Sequence, residues 1–302
     1  MISVNLCGGL GNQLFQIFTV IAYSLEYKVP FTFPKHKFDQ QKRRTYWDNG
    51  EMFSSLRVFL TNGINDYLRY REPYFQFSPL PKPIDRPRKL CLDGYFQSYK
   101  YFDRYYDDIC KLIGFDDKLK RVEEIVMNNF KKKFGNNMKD KNFIFISMHF
   151  RLGDYKHLQQ HHNLLPDLYY YKAIMAVITH LKKSNNIENK KIRILYFCEK
   201  EDLPVVKYRV SQLFNKLIPT MNSGIDMDFI NVSDTFNDWQ QMLLMSMCDH
   251  NIIANSSYSW WGAYFNKNPR KFVTYPPVWF GPTMANKDTS DLCPKNWQKI
   301  KL

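Results

Sequence analysis

The sequence has no run of apolar residues long enough to cross a lipid bilayer. Its longest apolar stretch covers residues 14–23 and is broken by Gln16 and Thr19, so it is far shorter than the roughly 20 residues that a membrane-spanning helix requires. The first residues, MISVNLCGG, contain neither the basic region nor the apolar region of a secretory signal. We therefore predict a soluble, cytoplasmic protein with no signal peptide and no transmembrane anchor.

Recognisable metal-binding patterns are also missing. The six cysteines are scattered without a CxxC pair, which indicates buried, reduced thiols rather than a zinc site. His157, His161 and His162 lie in a polar stretch that has no carboxylate or cysteine at ligand spacing. The triplet DMD at 226–228 has the DxD form of a common metal motif, but it precedes a predicted strand instead of ending one. We predict that the protein uses no metal and no other cofactor.

Acidic residues are too few to balance the basic ones. The chain has 43 Lys and Arg against 29 Asp and Glu, for a formal net charge of +14, which favours an anionic partner such as a phosphorylated small molecule. The basic runs at 35–44, 81–89 and 131–141 most simply form solvated surfaces. They are not interleaved with exposed aromatics and carry no nucleic-acid-binding motif, so we predict no nucleic-acid partner. Peripheral contact with an anionic membrane surface stays open.

What the sequence does contain is an alternation of strand and helix patterns. Five short apolar runs, typical of buried strands, alternate with helical stretches between residues 141 and 277. The predicted strands are 141–150, 192–199, 227–232, 251–255 and 271–277, and the predicted helices are 168–183, 201–214, 235–248 and 257–265. Short connections between such elements indicate a parallel sheet covered by helices on both faces.

The first 140 residues are less regular but begin with the same kind of unit. We predict a strand at 3–7, a glycine turn and a helix at 14–27, with a further helix at 121–134. A boundary near 136–142 divides the chain into domains 1–140 and 141–302. Both belong to the α/β class, and two such nucleotide-binding domains predict a ligand cleft at the carboxyl ends of their strands.

The glycine turn CGGLGNQLFQ at 7–16 is one candidate ligand site. Gly9 and Gly11 match the first two glycines of a dinucleotide fingerprint, but Leu14 occupies the third position. The main-chain amides at the helix start suit an anion. On the glycines alone a structural corner is equally favoured, and Asn12 could serve simply as the helix N-cap.

The segment HFRLGDY at 149–155 follows a buried strand and is more informative. His149 and Arg151 alternate onto the same face at the strand's carboxyl end. A buried guanidinium needs a partner, and a phosphate can accept two hydrogen bonds from it. The alternative is an internal ion pair between Arg151 and Asp154 around the turn at Gly153, and spacing alone does not separate the two.

A third candidate, NSSYSWW at 255–261, follows the strand at 251–255. Asn255 ends that strand, and Ser256, Ser257 and Ser259 come at the start of the next helix. Hydroxyls and main-chain amides there suit a phosphate or a ribose. Ordinary capping by one serine is the alternative, and the two tryptophans that follow are expected in the core.

These blocks occur together in one known family. The segments GGLGNQ, LDGYFQS at 92–98, HFRLGDY and NSSYSWW stand in the order seen in inverting α-1,2-fucosyltransferases, and the chain resembles that family over most of its length. The resemblance implies a GT-B fold, in which two Rossmann-like domains face a central cleft. It implies GDP-L-fucose as donor, no metal, and an oligosaccharide acceptor, often the O2 hydroxyl of a galactose. Leu152 stands where the family usually has a second basic residue.

The chemistry of such a transfer suggests roles for the candidate residues. The first domain would lie on the acceptor side, and the second would bind GDP-fucose. Arg151 and the main-chain amides at 9–12 and 256–257 would stabilise the charge that develops on the leaving diphosphate. Asp154 would be the general base and His149 its alternative, unless Asp154 only orients the guanidinium.

Overall fold

The computed structural model describes residues 1–302 apart from 36–43, 65, 84–88, 135–137, 139, 186, 189, 222–223 and 233–234. Parts of all three basic runs lie outside the described residues, as does part of the predicted boundary at 136–142. The chain divides into two compact units. Unit 1 comprises residues 1–118 and 286–295, and unit 2 comprises residues 119–285 and 296–302.

Unit 1 is built on parallel strands. Its elements are β1 (Ile2–Val4), α1 (Leu10–Tyr27), β2 (Phe33–Pro34), β3 (Leu60–Thr61), β4 (Leu68–Arg71), β5 (Leu90–Asp93) and α2 (Tyr106–Leu112). One sheet has the order β1-β5-β4, and β2 pairs with β3. All of these pairings are parallel, so the carboxyl ends of β1, β5 and β4 lie at one edge.

The predicted strand, turn and helix at the start of the chain are confirmed. Helix α1 begins at Leu10, four residues before the predicted start, because Gly9 has extended backbone and serves as the N-cap. Gly8 takes a left-handed φ of 72°, which glycine adopts at little cost. Asn12 is therefore inside the helix, and its interpretation as the N-cap is wrong.

Unit 2 contains the sheet that the alternating pattern predicted. Its elements are β6 (Phe143–His149), α4 (Asp167–Lys183), β7 (Lys191–Phe197), α5 (Leu203–Met221), β8 (Asp226–Asn231), α6 (Asp238–Ser246), β9 (His250–Ile252), α7 (Ser257–Tyr264), β10 (Val273–Tyr275) and β11 (Gln298–Lys299). Helix α3 (Phe115–Phe134) precedes them and has its first four residues in unit 1. The strand order is β11-β10-β9-β6-β7-β8, and every pairing is parallel.

This order places a topological switch between β6 and β9. From β6 the chain adds β7 and β8 on one side, and it then returns to add β9, β10 and β11 on the other. In open parallel sheets of this kind, ligands bind outside the carboxyl ends of the strands at the switch. The fold therefore singles out the segments that follow β6 and β9.

A buried polar network fixes β9 against β6. The Asn251 side chain donates to Ser147 Oγ at 2.7 Å and to the Met245 carbonyl at 2.8 Å. Its own oxygen accepts from Asn266 Nδ2 at 2.9 Å. Satisfied networks of this kind make the packing of a core more specific, so the two strands that flank the switch are held in register.

The division into units differs from the predicted boundary near residue 140. Helix α3 passes from unit 1 into unit 2 between residues 118 and 119, and residues 286–295 return to unit 1. This return involves contacts between segments far apart in the sequence, such as the hydrogen bond from the Ser98 hydroxyl to the Asp291 carbonyl. The α/β class is confirmed, and two α/β units with parallel sheets are consistent with a GT-B-type fold.

All six cysteines are described and none forms a disulfide. Among the described residues, no helix is both long and apolar enough to cross a membrane.

Candidate functional site

Two of the predicted segments meet at the switch in unit 2. Strand β6 pairs with β9, with Met148 opposite Ile252, so both segments leave the sheet at the same edge. The Tyr155 hydroxyl donates to the Asn255 carbonyl at 3.1 Å, which ties the segment after β6 to the segment after β9. The structure therefore brings together residues that are 100 positions apart in the sequence.

Arg151 lies at this edge between two carboxylates. Its guanidinium forms ion pairs with Asp154 and Glu199, and its side chain is 14% exposed. The Tyr155 ring centroid is 4.9 Å from the guanidinium carbon. Burial disfavours the charged form, but the charges of Glu199 and Asp154 outweigh burial, so the pKa of Arg151 is raised.

The loop between β7 and α5 holds the Arg151 segment in place. The Gly153 amide donates to Asp202 at 2.6 Å, and the Lys156 ammonium binds the same buried carboxylate at 2.6 Å. Gly153 has φ of 37°, and a Cβ there would lie 2.5 Å from Glu199 Oε2. A glycine is needed at this turn because it leaves room for the Glu199 carboxylate beside the guanidinium.

The internal ion pair left open by the sequence is present, together with a second one to Glu199. A diphosphate that binds Arg151 must therefore share the guanidinium with these carboxylates or displace one of them. The ion pair also commits Asp154 to Arg151, which fits an orienting role better than proton abstraction. Glu199 is the last residue of the predicted strand at 192–199, at the same edge, and that position is the signal that could have identified it.

His149 is the last residue of β6 and is buried. Burial, followed by the charge of Arg151, lowers its pKa to about 3, so the imidazole is neutral at physiological pH. Its Nδ1 has no hydrogen-bond partner among the described residues, and its ring lies 5.3 Å from the Tyr258 ring. A side chain that is only 6% exposed has little access to an acceptor hydroxyl.

The serines after β9 have different environments. Ser256 is the N-cap of α7 and its hydroxyl accepts from the Tyr258 amide at 3.3 Å. The Ser259 hydroxyl is buried and accepts from the Ala254 amide at 3.2 Å. Both hydroxyls thus serve the local backbone, whereas Ser257 at the helix start is half-buried.

Asn255 is fully buried and connects three loops. Its Nδ2 donates to the carbonyls of Asn163 and Trp279 at 2.9 and 3.1 Å. Its Oδ1 has no partner among the described residues. The amide therefore anchors the start of the segment whose main-chain N–H groups were predicted to bind phosphate.

In unit 1 the glycine turn and the LDGYFQS segment lie together. Gln97 Nε2 donates to Asn12 Oδ1 at 2.8 Å, and Gln16 Nε2 donates to the Gly94 carbonyl at 2.8 Å. Gly9 is partly exposed at the helix start, whereas Gly11 is buried. The turn is thus held from two sides, with the amides at the start of α1 pointing away from the helix, as in all helix N-termini.

No signal in the sequence points to Glu72, which follows β4 at the edge of unit 1 that carries the carboxyl ends of β1, β5 and β4. Its carboxylate accepts from the amides of Tyr95 and Phe96 at 2.8 and 2.9 Å. Burial, partly opposed by these hydrogen bonds, raises its pKa to about 7. Glu72 is therefore a carboxylate at this edge of unit 1 whose protonation changes near neutral pH.

Within the described ranges, no group of three or more His, Cys, Asp or Glu side chains is arranged to hold a metal ion. Asp226, the first residue of the DMD triplet, starts β8 and pairs with Arg193 at 3.1 Å. The triplet thus begins at the amino end of the sheet, opposite the edge that carries Arg151.

Comparisons with known proteins point to one kind of enzyme. No family model matches the chain. It is 29% identical over 244 residues to the O-antigen biosynthesis glycosyltransferase WbnK of Escherichia coli, covering 78% of this chain and 72% of that protein. It is 25% identical to an alpha-1,2-colitosyltransferase of Escherichia coli, covering 100% of this chain and 99% of that one.

A search of solved structures finds a chain titled "Trehalose-6-phosphate from E. coli bound with UDP-2-fluoro glucose". The match has a TM-score of 0.32 and 12% identity, and it covers 58% of this chain and 38% of the other. Similarity at that level carries no conclusion about this protein. The two sequence similarities, which extend over most or all of the chain, support a glycosyltransferase family.

Proposed function

We propose that this protein is an inverting glycosyltransferase that moves L-fucose from GDP-L-fucose to a hydroxyl of an oligosaccharide, with O2 of a galactose as the favoured acceptor position. The observation that carries the proposal is the meeting of the Arg151 segment and the Ser256–Ser257 segment at the switch between β6 and β9. Similarity to two glycosyltransferases of Escherichia coli supports the class of reaction.

The proposed mechanism follows from the charge that develops during transfer. When the bond between the sugar and the diphosphate breaks, negative charge accumulates on the leaving group. Arg151 would stabilise that charge together with the amides of Ser256 and Ser257, which lie at the same edge of the unit 2 sheet. In unit 1, considered by itself, the amides at 9–12 form a helix N-terminus that suits an anion. Each preorganised donor of this kind contributes about 10² to 10³ in rate, so the reaction would proceed without a metal.

Glu199 and Asp154 have a specific part in this proposal. They hold the Arg151 guanidinium in one orientation before the donor arrives, and this orientation reduces the reorganisation that binding requires. They also weaken the first contact with a diphosphate through charge repulsion. Arg151 is therefore a preoriented cation whose affinity for anions is moderated by its neighbours.

A second candidate is transfer of colitose, a 3,6-dideoxyhexose related to fucose. The alpha-1,2-colitosyltransferase matches this chain over its whole length, whereas the WbnK match covers 78% of it. The two donors differ by one hydroxyl. A site that hydrogen-bonds a hydroxyl can reject the analogue that lacks it by a large factor, so the two activities are separable.

A grid of donors and acceptors tests the proposal. GDP-L-fucose, GDP-colitose and two UDP-sugars are each incubated with galactosides and glucosides, and products are detected by mass spectrometry. We expect product with GDP-L-fucose and a galactoside, and NMR of the anomeric proton should show an α linkage. Product with GDP-colitose alone would select the second candidate, and product with UDP-sugars only would contradict both.

A further inference from the structure

The segment that carries Arg151 departs from regular structure as soon as β6 ends at His149. It continues into a short 3-10 helix, Gly153–His157, which begins at a glycine with a left-handed φ of 37°. Short 3-10 helices have poorer hydrogen-bond geometry than α-helices. The conformation of this segment, residues 150–157, which we call the Arg151 turn, therefore depends on groups outside it.

Asp202 supplies two contacts to the Arg151 turn from the loop between β7 and α5. Its side chain is only 1% exposed. One carboxylate oxygen accepts from the Gly153 amide at 2.6 Å, and the other accepts from the Lys156 ammonium at 2.6 Å. These partners lie on either side of Asp154 and Tyr155 in the chain. Because a charge-assisted hydrogen bond is about twice as strong as a neutral one, the buried carboxylate fixes this part of the turn at two points.

The same loop also binds the side chain of Arg151. The Asp202 amide donates to the Glu199 carbonyl at 3.0 Å, so the two acidic residues belong to one tight turn. Glu199 forms an ion pair with the Arg151 guanidinium, and its carboxylate occupies the space that a Cβ at Gly153 would need. The loop thus contacts both the guanidinium and the main chain that carries it.

The rest of the site in unit 2 depends on the position of the Arg151 turn. The Tyr155 ring lies 4.9 Å from the guanidinium carbon, and the Tyr155 hydroxyl donates to the Asn255 carbonyl at 3.1 Å. A shift of the turn would therefore move the cation and also its connection to the segment after β9. A misplacement of about 1 Å in such a site can cost about 10² in rate.

We propose that Asp202 is a positioning residue for the donor, because it fixes the Arg151 turn so that the guanidinium lies where the diphosphate binds. The inference rests on the proposed transferase function and concerns residues of unit 2 alone. Asp202 acts through Arg151 and does not itself contact the diphosphate. Since Lys156 neutralises its charge, the pair contributes geometry to the site rather than net charge.

The sign of the effect on GDP binding separates positioning from electrostatics. If charge alone acts, removing a carboxylate charge near a bound anion tightens its binding. In Asp202→Asn the side chain keeps its size but has one acceptor oxygen for two donors, so either the Gly153 amide or Lys156 loses its partner. Positioning therefore predicts weaker GDP binding from a substitution that makes the site more positive.

The test measures GDP binding by calorimetry for Asp202→Asn and Asp249→Asn, and adds Asp202→Asn to Arg151→Ala. Asp249 is the matched control, because its carboxylate also accepts a main-chain amide, that of Phe145 at 2.8 Å, but near the amino end of β6. We expect about tenfold weaker GDP binding in Asp202→Asn and wild-type affinity in Asp249→Asn. In the Arg151→Ala background, Asp202→Asn should cause no further weakening. Urea unfolding should remain cooperative in each variant.

GDP affinity in Asp202→Asn that equals or exceeds the wild-type value would overturn the assignment. An equal loss in the Arg151→Ala background, or in Asp249→Asn, would overturn it as well. If Asp202→Asn does not fold, the combined variant Asp202→Leu, Lys156→Met decides. Replacing both members of a buried ion pair by apolar side chains commonly preserves folding and leaves the net charge unchanged, so wild-type GDP affinity in that variant contradicts the proposal. Absence of GDP binding by the wild type would instead reject the proposed function, so the two failures are distinguishable.

Discussion

Removing the charge of Glu199 tests whether a diphosphate binds at the Arg151 guanidinium. The perturbation is Glu199→Gln, which keeps the size of the side chain and removes one negative charge beside the guanidinium. Asp154 and the Tyr155 ring still contact Arg151, so the cation remains oriented. We expect GDP to bind more tightly, because the phosphates no longer meet the Glu199 charge.

The magnitude follows from the exposure of the pair. Two unit charges about 4 Å apart interact by about 1 kcal/mol in water and by about 4 kcal/mol near a protein surface. Glu199 is 45% exposed, so solvent screening favours the lower value. A gain of about 1 kcal/mol corresponds to roughly fivefold tighter binding.

Isothermal titration calorimetry with GDP at low and high salt measures this change. Glu201→Gln is the matched control, because Glu201 is exposed on the same loop and its replacement removes the same charge. The Glu199→Gln gain should shrink as the salt concentration rises. Equal or weaker GDP binding in Glu199→Gln than in Glu201→Gln would refute the placement of the diphosphate at Arg151.

Three further predictions concern stability and cofactor use. Burial lowers the pKa of His149 to about 3 and that of His250 to about 4, whereas an unfolded histidine has a pKa of about 6.5. Below pH 6.5 each of these histidines should therefore lower the free energy of unfolding by up to about 1.4 kcal/mol per pH unit. Urea unfolding that is unchanged between pH 7 and 5 would contradict this prediction. Gly8→Ala should lower the free energy of unfolding by at least about 1 to 2 kcal/mol, because Gly8 has a left-handed φ and a Cβ there would lie 2.3 Å from Asn12 Nδ2. Gly63→Ala is the control. A Cβ at Gly63 would meet open space, so this variant should leave the urea midpoint unchanged. Transfer activity should survive EDTA in a product assay, and a loss that manganese restores would count against the metal-free mechanism.

The sequence predicted the sheet of unit 2 well because its strands are buried on both faces. A strand such as β6 is almost continuously apolar, and the helices between the strands carry a clear period. The strands that were missed lack this pattern. Strand β4 reads LRYR and is mostly exposed, and β11 has only two residues. Pairing with a neighbouring strand defines both of them, and that information is not local.

The sequence predicted which segments follow the carboxyl ends of the unit 2 strands, but not which residues those segments contact. The rule that ligands bind at such ends made the Arg151 and Ser257 segments the candidates, and their binding of a ligand stays a prediction. Spacing could not decide between a phosphate and an internal ion pair for Arg151, because Glu199 lies 48 residues away. Nor could it show that Glu72 binds the LDGYFQS segment across 23 residues.

The central claim is that Arg151, at the switch between β6 and β9, binds the diphosphate of the donor. The most direct measurement is GDP affinity by calorimetry for Arg151→Ala beside Arg193→Ala, whose side chain is also 14% exposed and ion-paired but lies on β7 near the opposite edge. We predict at least tenfold weaker GDP binding for Arg151→Ala, with cooperative unfolding retained, and wild-type affinity for Arg193→Ala. Wild-type GDP affinity in a folded Arg151→Ala protein would contradict the claim.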